Sequence, residues 1–181
     1  MHHSRLCALL IDCNTSDVDL FDGMTNVQVS LESPDQPEVI TLIDALDAYQ
    51  DTLYPPESRH YLDLAHLKQA NTIFAVARTN DRAVGCGAIV LHTTYGEVKR
   101  MYVRPESRGQ GTARRILEAL ESAAHSRGCR ELMLETGPRQ PAALAFYESS
   151  GYIRRGPFGA YTDDPLSVFM QKSPVRTPRP S

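Results

Sequence analysis

Between a β-rich run and an amphipathic one lies Val103-Arg104-Pro105-Glu106-Ser107-Arg108-Gly109-Gln110-Gly111-Thr112-Ala113. Two glycines one residue apart let backbone N–H groups converge on an anion without side chains in the way, and a helix beginning there adds partial positive charge. Such a turn suits a phosphate or pyrophosphate. Lys99, Arg100, Arg104, Arg108, Arg114 and Arg115 stand against only Glu106 between positions 99 and 115, which predicts a basic patch of phosphate size. Two phosphate-binding patterns fail on these residues. A P-loop needs Lys-Ser/Thr after its last glycine, and Thr112-Ala113 follows Gly111. A dinucleotide fingerprint needs a small third residue where Arg114 stands, and a strand running straight into the first glycine, whereas Arg104 to Arg108 intervene.

Other reactive side chains form no pattern. Cys7, Cys13, Cys86 and Cys129 have neither disulfide-scaffold density nor Cys-x-x-Cys spacing, so they read as reduced thiols of a cytoplasmic protein. His2 and His3 are terminal, and His60 and His66 have no third ligand close in sequence. No metal is expected.

The 181 residues suit one domain with attached ends, and 41% hydrophobic against 23% charged residues is ordinary globular usage. No window approaches the ~20 apolar residues of a membrane helix. Residues 1–24 hold Arg5 against Asp12, Asp17, Asp19 and Asp22, and thus the whole formal charge of −3; the remainder is neutral. A neutral body lacks the broad basic face that nucleic-acid or anionic-membrane binding needs. Residues 1–24 share no period with the rest of the chain and read as a disordered extension, with Met24 as an alternative start. Residues 25–172 read as the domain and 173–181, rich in proline, as a flexible tail.

Within the domain, Val27, Val29 and Leu31 alternate like a half-buried strand, and Val39, Leu42, Ile43, Leu46 and Tyr49 form a helical stripe over 38–50. A shorter helical segment over 57–67 comes after Pro55-Pro56. Runs 72–78 and 83–92 form a hairpin about Asn80-Asp81, and 97–103 a further strand. Ala113, Ile116, Leu117, Leu120, Ala123 and Ala124 make a long amphipathic helix ended by Gly128. Strand 132–134, a helix from Pro141 to Gly151, and strands near 152–154 and 166–171 complete the body. This order predicts a mixed α/β sheet, mostly antiparallel, with helices on both faces and a parallel crossover from 97 to 134.

Arg108-Gly109-Gln110-Gly111-Thr112-Ala113 resembles the acetyl-CoA signature Arg/Gln-x-x-Gly-x-Gly/Ala of the GCN5-related N-acetyltransferase (GNAT) family. Residues 96–103 look like that family's fourth strand and 145–152 like its last helix and subsequent turn, so that the resemblance spans 26–172. Tyr54 to Ser58, Leu134 to Gly137, and Gly156 to Phe158 with Asp164 to Met170 are similar to a YsnE-like bacterial group.

The resemblance implies splayed fourth and fifth strands. It implies acetyl-CoA as cosubstrate, with the pantetheine arm along the backbone of Met101, Tyr102 and Val103 and pyrophosphate on the turn Arg108, Gly109, Gln110, Gly111, Thr112 and Ala113. Acetyl transfer to an amine needs the acceptor deprotonated and the leaving thiolate protonated. The family position of the acid is Tyr147, whose alternative role is a core aromatic. Glu97 matches a position used as base, with an ion pair to Lys99 or an arginine as its alternative; Glu135 is the rival base. Acceptor recognition falls to the loops 55–58 and 158–164, where Asp163 and Asp164 face the choice between holding an amine and capping a turn. The implied reaction is direct attack by a primary amine of a small molecule or peptide. A non-catalytic acyl-CoA-binding module and a protein lysine or N-terminal acetyltransferase remain open, as does a homodimer.

Overall fold

A computed structural model describes residues 27–53 and 63–173. The extension 1–24, the loop 54–58, most of the segment 57–67, and the tail beyond 173 therefore lie outside, wholly or nearly so. Strands β1 (Gln28–Leu31), β2 (Thr72–Thr79), β3 (Arg82–Leu91), β4 (Gly96–Val103), β5 (Leu132–Thr136), β6 (Ile153–Arg155) and β7 (Val168–Lys172) form one sheet in the order β1-β2-β3-β4-β5-β7-β6. Every pair is antiparallel except β4 with β5. The helices are α1 (Pro37–Leu53), the single turn α2 (Leu64–Leu67), α3 (Thr112–Ser126) and α4 (Pro141–Ser149).

Two apolar layers sandwich the sheet. On one face Ile116, Leu117 and Leu120 of α3 and Ala143, Phe146 and Tyr147 of α4 pack on Val98, Met101, Val103, Leu132 and Leu134. On the other, Val39, Leu42 and Leu46 of α1 pack on Phe74, Val76, Cys86, Ala88 and Tyr102. The mixed sheet with helices on both faces is thus present as expected. Asn80 and Asp81, at φ 49° and 63°, make the hairpin turn with the twist that suits the flanking strands. Leu31 departs from its alternation: β1 is an edge strand, and Leu31 is half-exposed at its end.

A bulge in β4 governs the site. Ala88 pairs with Lys99 and Cys86 with Tyr102, so Gly87 faces both Arg100 and Met101. Arg100 takes the extra position at φ 57°, a conformation that costs a non-glycine residue on the order of 1 kcal/mol. Two partners hold it there. The Arg100 guanidinium forms a buried ion pair with Asp47 of α1, and its carbonyl accepts from the Cys86 thiol at 3.6 Å. Burial pushes the Asp47 carboxyl up against the opposing pull of Arg100, and pushes the Cys86 thiol up to about 12. The bulge turns Met101 onto β3, where a Cβ on Gly87 would collide with its sulfur.

Candidate active site

The β4–β5 ladder contains only Gly96 with Leu132 and Glu97 with Met133. Beyond these pairs the bulged β4 diverges from β5, which turns to pair with β7 through Thr136. The expected splay is therefore real. It leaves the β5-facing backbone of Met101, Tyr102 and Val103 without a ladder partner in β5, and backbone groups of this kind seek hydrogen bonds.

At the end of β4 the chain passes through a 3-10 turn, Pro105–Ser107, into the glycine turn. Gly109 and Gly111 have φ of 72° and 74°, values that glycine adopts without strain. A Cβ at either would meet nothing within 4 Å, so the space before this backbone is open. Gly111 caps α3, and its carbonyl accepts the first helical hydrogen bond, from the Arg115 N–H at 3.1 Å. The amides before Arg115 are those a helix start leaves without intrahelical acceptors. Two side chains brace the turn: Arg108 Nε donates to the Val103 carbonyl at 3.0 Å, and the buried Thr112 hydroxyl to the Ser107 carbonyl at 3.1 Å. Open space, positive φ and convergent amides fit a pyrophosphate.

Two cations, Lys99 and Arg100, drop out of the expected basic patch. Strand alternation and the bulge send Lys99 and Arg100 into buried ion pairs with Glu97 and Asp47. Arg104 Nε donates to the Ala83 carbonyl and Arg115 Nη1 to the Val27 carbonyl. Arg104, Arg108, Arg114 and Arg115 keep their charge beside the turn; Arg114 and Arg115 are exposed, and Arg114 lies 3.3 Å from the Ser149 hydroxyl. The amides of the turn and these four arginines thus face the same region.

Glu97 and Glu135 share the face opposite α3. Glu97 is buried at the last β4–β5 pair, and three groups converge on it: Lys99 Nζ at 2.7 Å, the Tyr161 hydroxyl at 2.5 Å and His92 Nε2 at 3.4 Å. Burial alone would raise its pKa. The hydrogen bond from His92, the Lys99 charge, and bonds from Lys99 and Tyr161 outweigh that and hold the carboxyl below its usual value. The alternative of an ion pair with Lys99 is realised, but in the interior instead of at the surface. Glu135, buried two residues beyond Met133 on β5, accepts from the Ser167 hydroxyl at 2.7 Å. Around both lies an aromatic cluster: Phe158 meets Tyr161 at 4.9 Å, Phe169 at 5.9 Å and Tyr95 at 5.5 Å, with Met133 beside them. Tyr95 in turn stacks on His92 at 4.5 Å.

Tyr147 belongs to the other face. It is fully buried on α4, in the layer with Met101, Leu134 and Met170, its ring edge to Tyr152 at 5.5 Å. The two carboxylates thus stand on one side of the split sheet and the tyrosine on the other. Asp164 caps its own turn, accepting from the Leu166 N–H at 2.7 Å, whereas Asp163 is exposed. Lys99 enters the site by the ion pair expected as its alternative and Tyr161 from within the loop 158–164, whereas His92 joins without a role expected from sequence. The i, i+2 spacing of Glu97 and Lys99 on one strand is the available signal for Lys99; the other two arrive from distant segments. Thr136 is a further addition: its hydroxyl, at the splayed end of β5, is buried without a hydrogen-bond partner among the described residues. Also among the described residues, no group of three or more His, Cys, Asp or Glu is placed to hold a metal ion, and no helix is long and apolar enough to cross a membrane.

Residues 40–152 match the Acetyltransferase (GNAT) family. The "IAA acetyltransferase" of Azospirillum brasilense is 49% identical over 151 residues, 82% of this chain and 99% of its own length. The N-acetyltransferase YsnE of Bacillus subtilis is 36% identical over 138 residues, 75% of this chain and 91% of its own. A Klebsiella pneumoniae crystal structure described as an acyl-CoA N-acyltransferase superposes with a TM-score of 0.73 at 43% identity, covering 82% of this chain and 98% of that one. With the split sheet and glycine turn, these likenesses identify the chain as a member of the acetyltransferase (GNAT) family, an N-acetyltransferase that uses acetyl-CoA.

Proposed function

We propose that the chain acetylates the primary amine of a small molecule across the split between β4 and β5, with Glu97 and Tyr147 handling the two protons. The observation that carries this reading is the end of the β4–β5 ladder at Glu97 and Met133, with an ionised carboxylate cluster on one face and a buried tyrosine on the other. Acetyl-CoA supplies an activated thioester carbon.

The amides of residues 109–113 would hold its pyrophosphate, and the open edge of Met101, Tyr102 and Val103 would pair with its pantetheine arm; the partnerless Thr136 hydroxyl borders the same split. The bulge aims this edge, because it breaks the pleat where the strands part. On the other face Glu97 would take the proton that the acceptor ammonium loses before attack and pass it to solvent, and the second nitrogen proton would leave to solvent by the same carboxylate once the C–N bond has formed. The C–S bond breaks as the C–N bond forms, and Tyr147 Oη would give its proton to the departing sulfur, recovering one from solvent. Glu135, held by Ser167, is the second carboxylate within this face and the fallback base.

The test is thiol release by the purified full-length chain with acetyl-CoA against amino acids, polyamines, aminoglycosides and peptides, with products identified by mass. Acceleration by a small amine, with one N-acetyl product per thiol, is the expected result. Acceleration by peptides alone would move the activity to protein modification. Calorimetric binding of acetyl-CoA without acceleration by any amine would favour the non-catalytic module.

A further inference from the structure

The charges around Glu97 restrict which amine can use it. Lys99 Nζ lies 2.7 Å from Glu97 Oε1 and 3.0 Å from the Tyr161 hydroxyl, and the Lys99 and Glu97 side chains are only 9% and 6% exposed. Lys99 comes after Glu97 on the same face of β4, just beyond the last β4–β5 pair, so it borders the opening through which an acceptor must reach the split. The carboxylate therefore already has a buried cation.

A simple amine arriving as an ammonium would place two cations on one carboxylate where little water can screen them, which is costly. On the strands beside this pair the negative charges are matched. Among the described residues, Glu97 and Glu135 are set against Lys99 and Arg155, the latter bonded to Gln171 at 2.9 Å and lying 5.7 Å over the Phe158 ring. The loop adds Asp164, which accepts from the Leu166 N–H, and the exposed Asp163, both outside the buried pair. Polyamines and aminoglycosides, each carrying several cations and no anion, bring nothing to match the Lys99 charge that they would displace from Glu97. A ligand that brings one charge of each sign fits the pair well.

Resting on the amine-acetylating reading above, we propose that the acceptor is an α-amino acid, its ammonium received by Glu97 and its carboxylate by Lys99. The buried pair opens and each member takes the opposite charge of the ligand, so that the count of ion pairs rises from one to two and the local net charge does not change. Tyr161, whose hydroxyl reaches both Glu97 and Lys99, bridges the two new pairs. Beyond it Phe158, Phe169 and Met133 present apolar surface, which suits an apolar or aromatic side chain on the acceptor. Lys99 is then the residue that tells an amino acid from an amine of the same shape.

The test compares matched pairs on the full-length chain: L-phenylalanine against 2-phenylethylamine, and L-tyrosine against tyramine, in thiol release with acetyl-CoA. The expected result is a kcat/KM ~10–100-fold higher for each amino acid, the worth of a hydrogen-bonded charge pair. Lys99→Gln should erase that preference and Lys99→Arg should keep most of it. Calorimetry supplies a readout without turnover: N-acetyl-L-phenylalanine should bind more tightly than N-acetyl-2-phenylethylamine, and only in chains with a cation at position 99. Equal or better use of the decarboxylated amines, or a preference for spermidine or kanamycin, by the wild-type chain overturns the proposal while leaving amine acetylation intact. Failure of every amine to accelerate thiol release would instead overturn the reading beneath it.

Discussion

Tyr147 and Glu97 carry the proposed chemistry, and each can be separated from its packing role by one atom or group. Tyr147 is fully buried in the α3–α4 layer, and Tyr147→Phe keeps the ring there. If the hydroxyl serves the leaving sulfur, turnover should fall ~10²–10⁴-fold while the acetyl-CoA Kd from calorimetry stays nearly constant; a neutral Phe variant would leave the tyrosine as core alone. For Glu97 the sign comes from its surroundings. His92, Lys99 and Tyr161 hold the carboxyl below its usual pKa despite burial, so it stays ionised, and able to accept a proton, to lower pH than a free carboxylate. The acid limb of kcat/KM, which reports the free enzyme, should therefore lie below the ordinary carboxylate range, and Glu97→Gln should give a slow rate without that limb. An unchanged profile would shift the role to Glu135. The family motif exposes Glu97, Tyr147 and the glycines in the sequence, since each occupies a fixed place in a local pattern. His92 and Tyr161 are not legible there. His92 reaches Glu97 from a strand end and Tyr161 from a loop 64 residues along the chain, and no local period encodes such contacts.

At the scale of elements, the glycine turn and the anchoring of α1 make separate predictions. Because the space before Gly111 is open and its φ is 74°, Gly111→Ala should cost about 1–2 kcal/mol through the backbone and not through a clash. Gly111→Arg should lose acetyl-CoA binding in calorimetry by filling the pyrophosphate space; retained affinity would remove the turn from the site. On the far edge, Arg78 of β2 bonds both oxygens of Glu32, at 3.0 and 2.9 Å, and also Gln36 and Glu38, tying the β1–α1 connection to the hairpin. The Arg78 hydrogen bonds, working against burial, lower the Glu32 pKa to about 2. A depressed folded pKa gives stability that is present above the unfolded value, ~4.3, and lost as pH falls towards about 2. Chemical denaturation across that window should show the loss, and Glu32→Gln should flatten it; an equal slope in both would dismiss the clamp. The elements themselves are largely legible in the sequence. Apolar periods mark α1, α3 and the hairpin with ends within a few residues, whereas the β4 bulge is invisible, since it depends on Gly87 across the ladder and on Asp47 from α1. Lys99 and Arg100 leave the basic patch for the same reason: nearness in sequence says nothing about which face of a bulged strand a cation takes.

For the molecule as a whole, the domain is a sheet held closed by two separate cores and split at one place. A chain beginning at Met24 should keep its Tm and turnover, and a large loss of either would show that the first 23 residues pack on the domain. The balanced charge of the body, visible in the sequence, becomes at the site a paired carboxylate and ammonium, and this balance points to a zwitterionic acceptor. Acetyl transfer itself is tested most directly by counting both products, CoA thiol and N-acetyl amine, in one reaction of the full-length chain with acetyl-CoA and L-phenylalanine, tyramine, spermidine, kanamycin and a peptide in turn. Equal amounts of the two products with at least one small amine, abolished by Gly111→Arg, is the expected result. Thiol release that no amine accelerates, from a chain that calorimetry shows to bind acetyl-CoA, would contradict it.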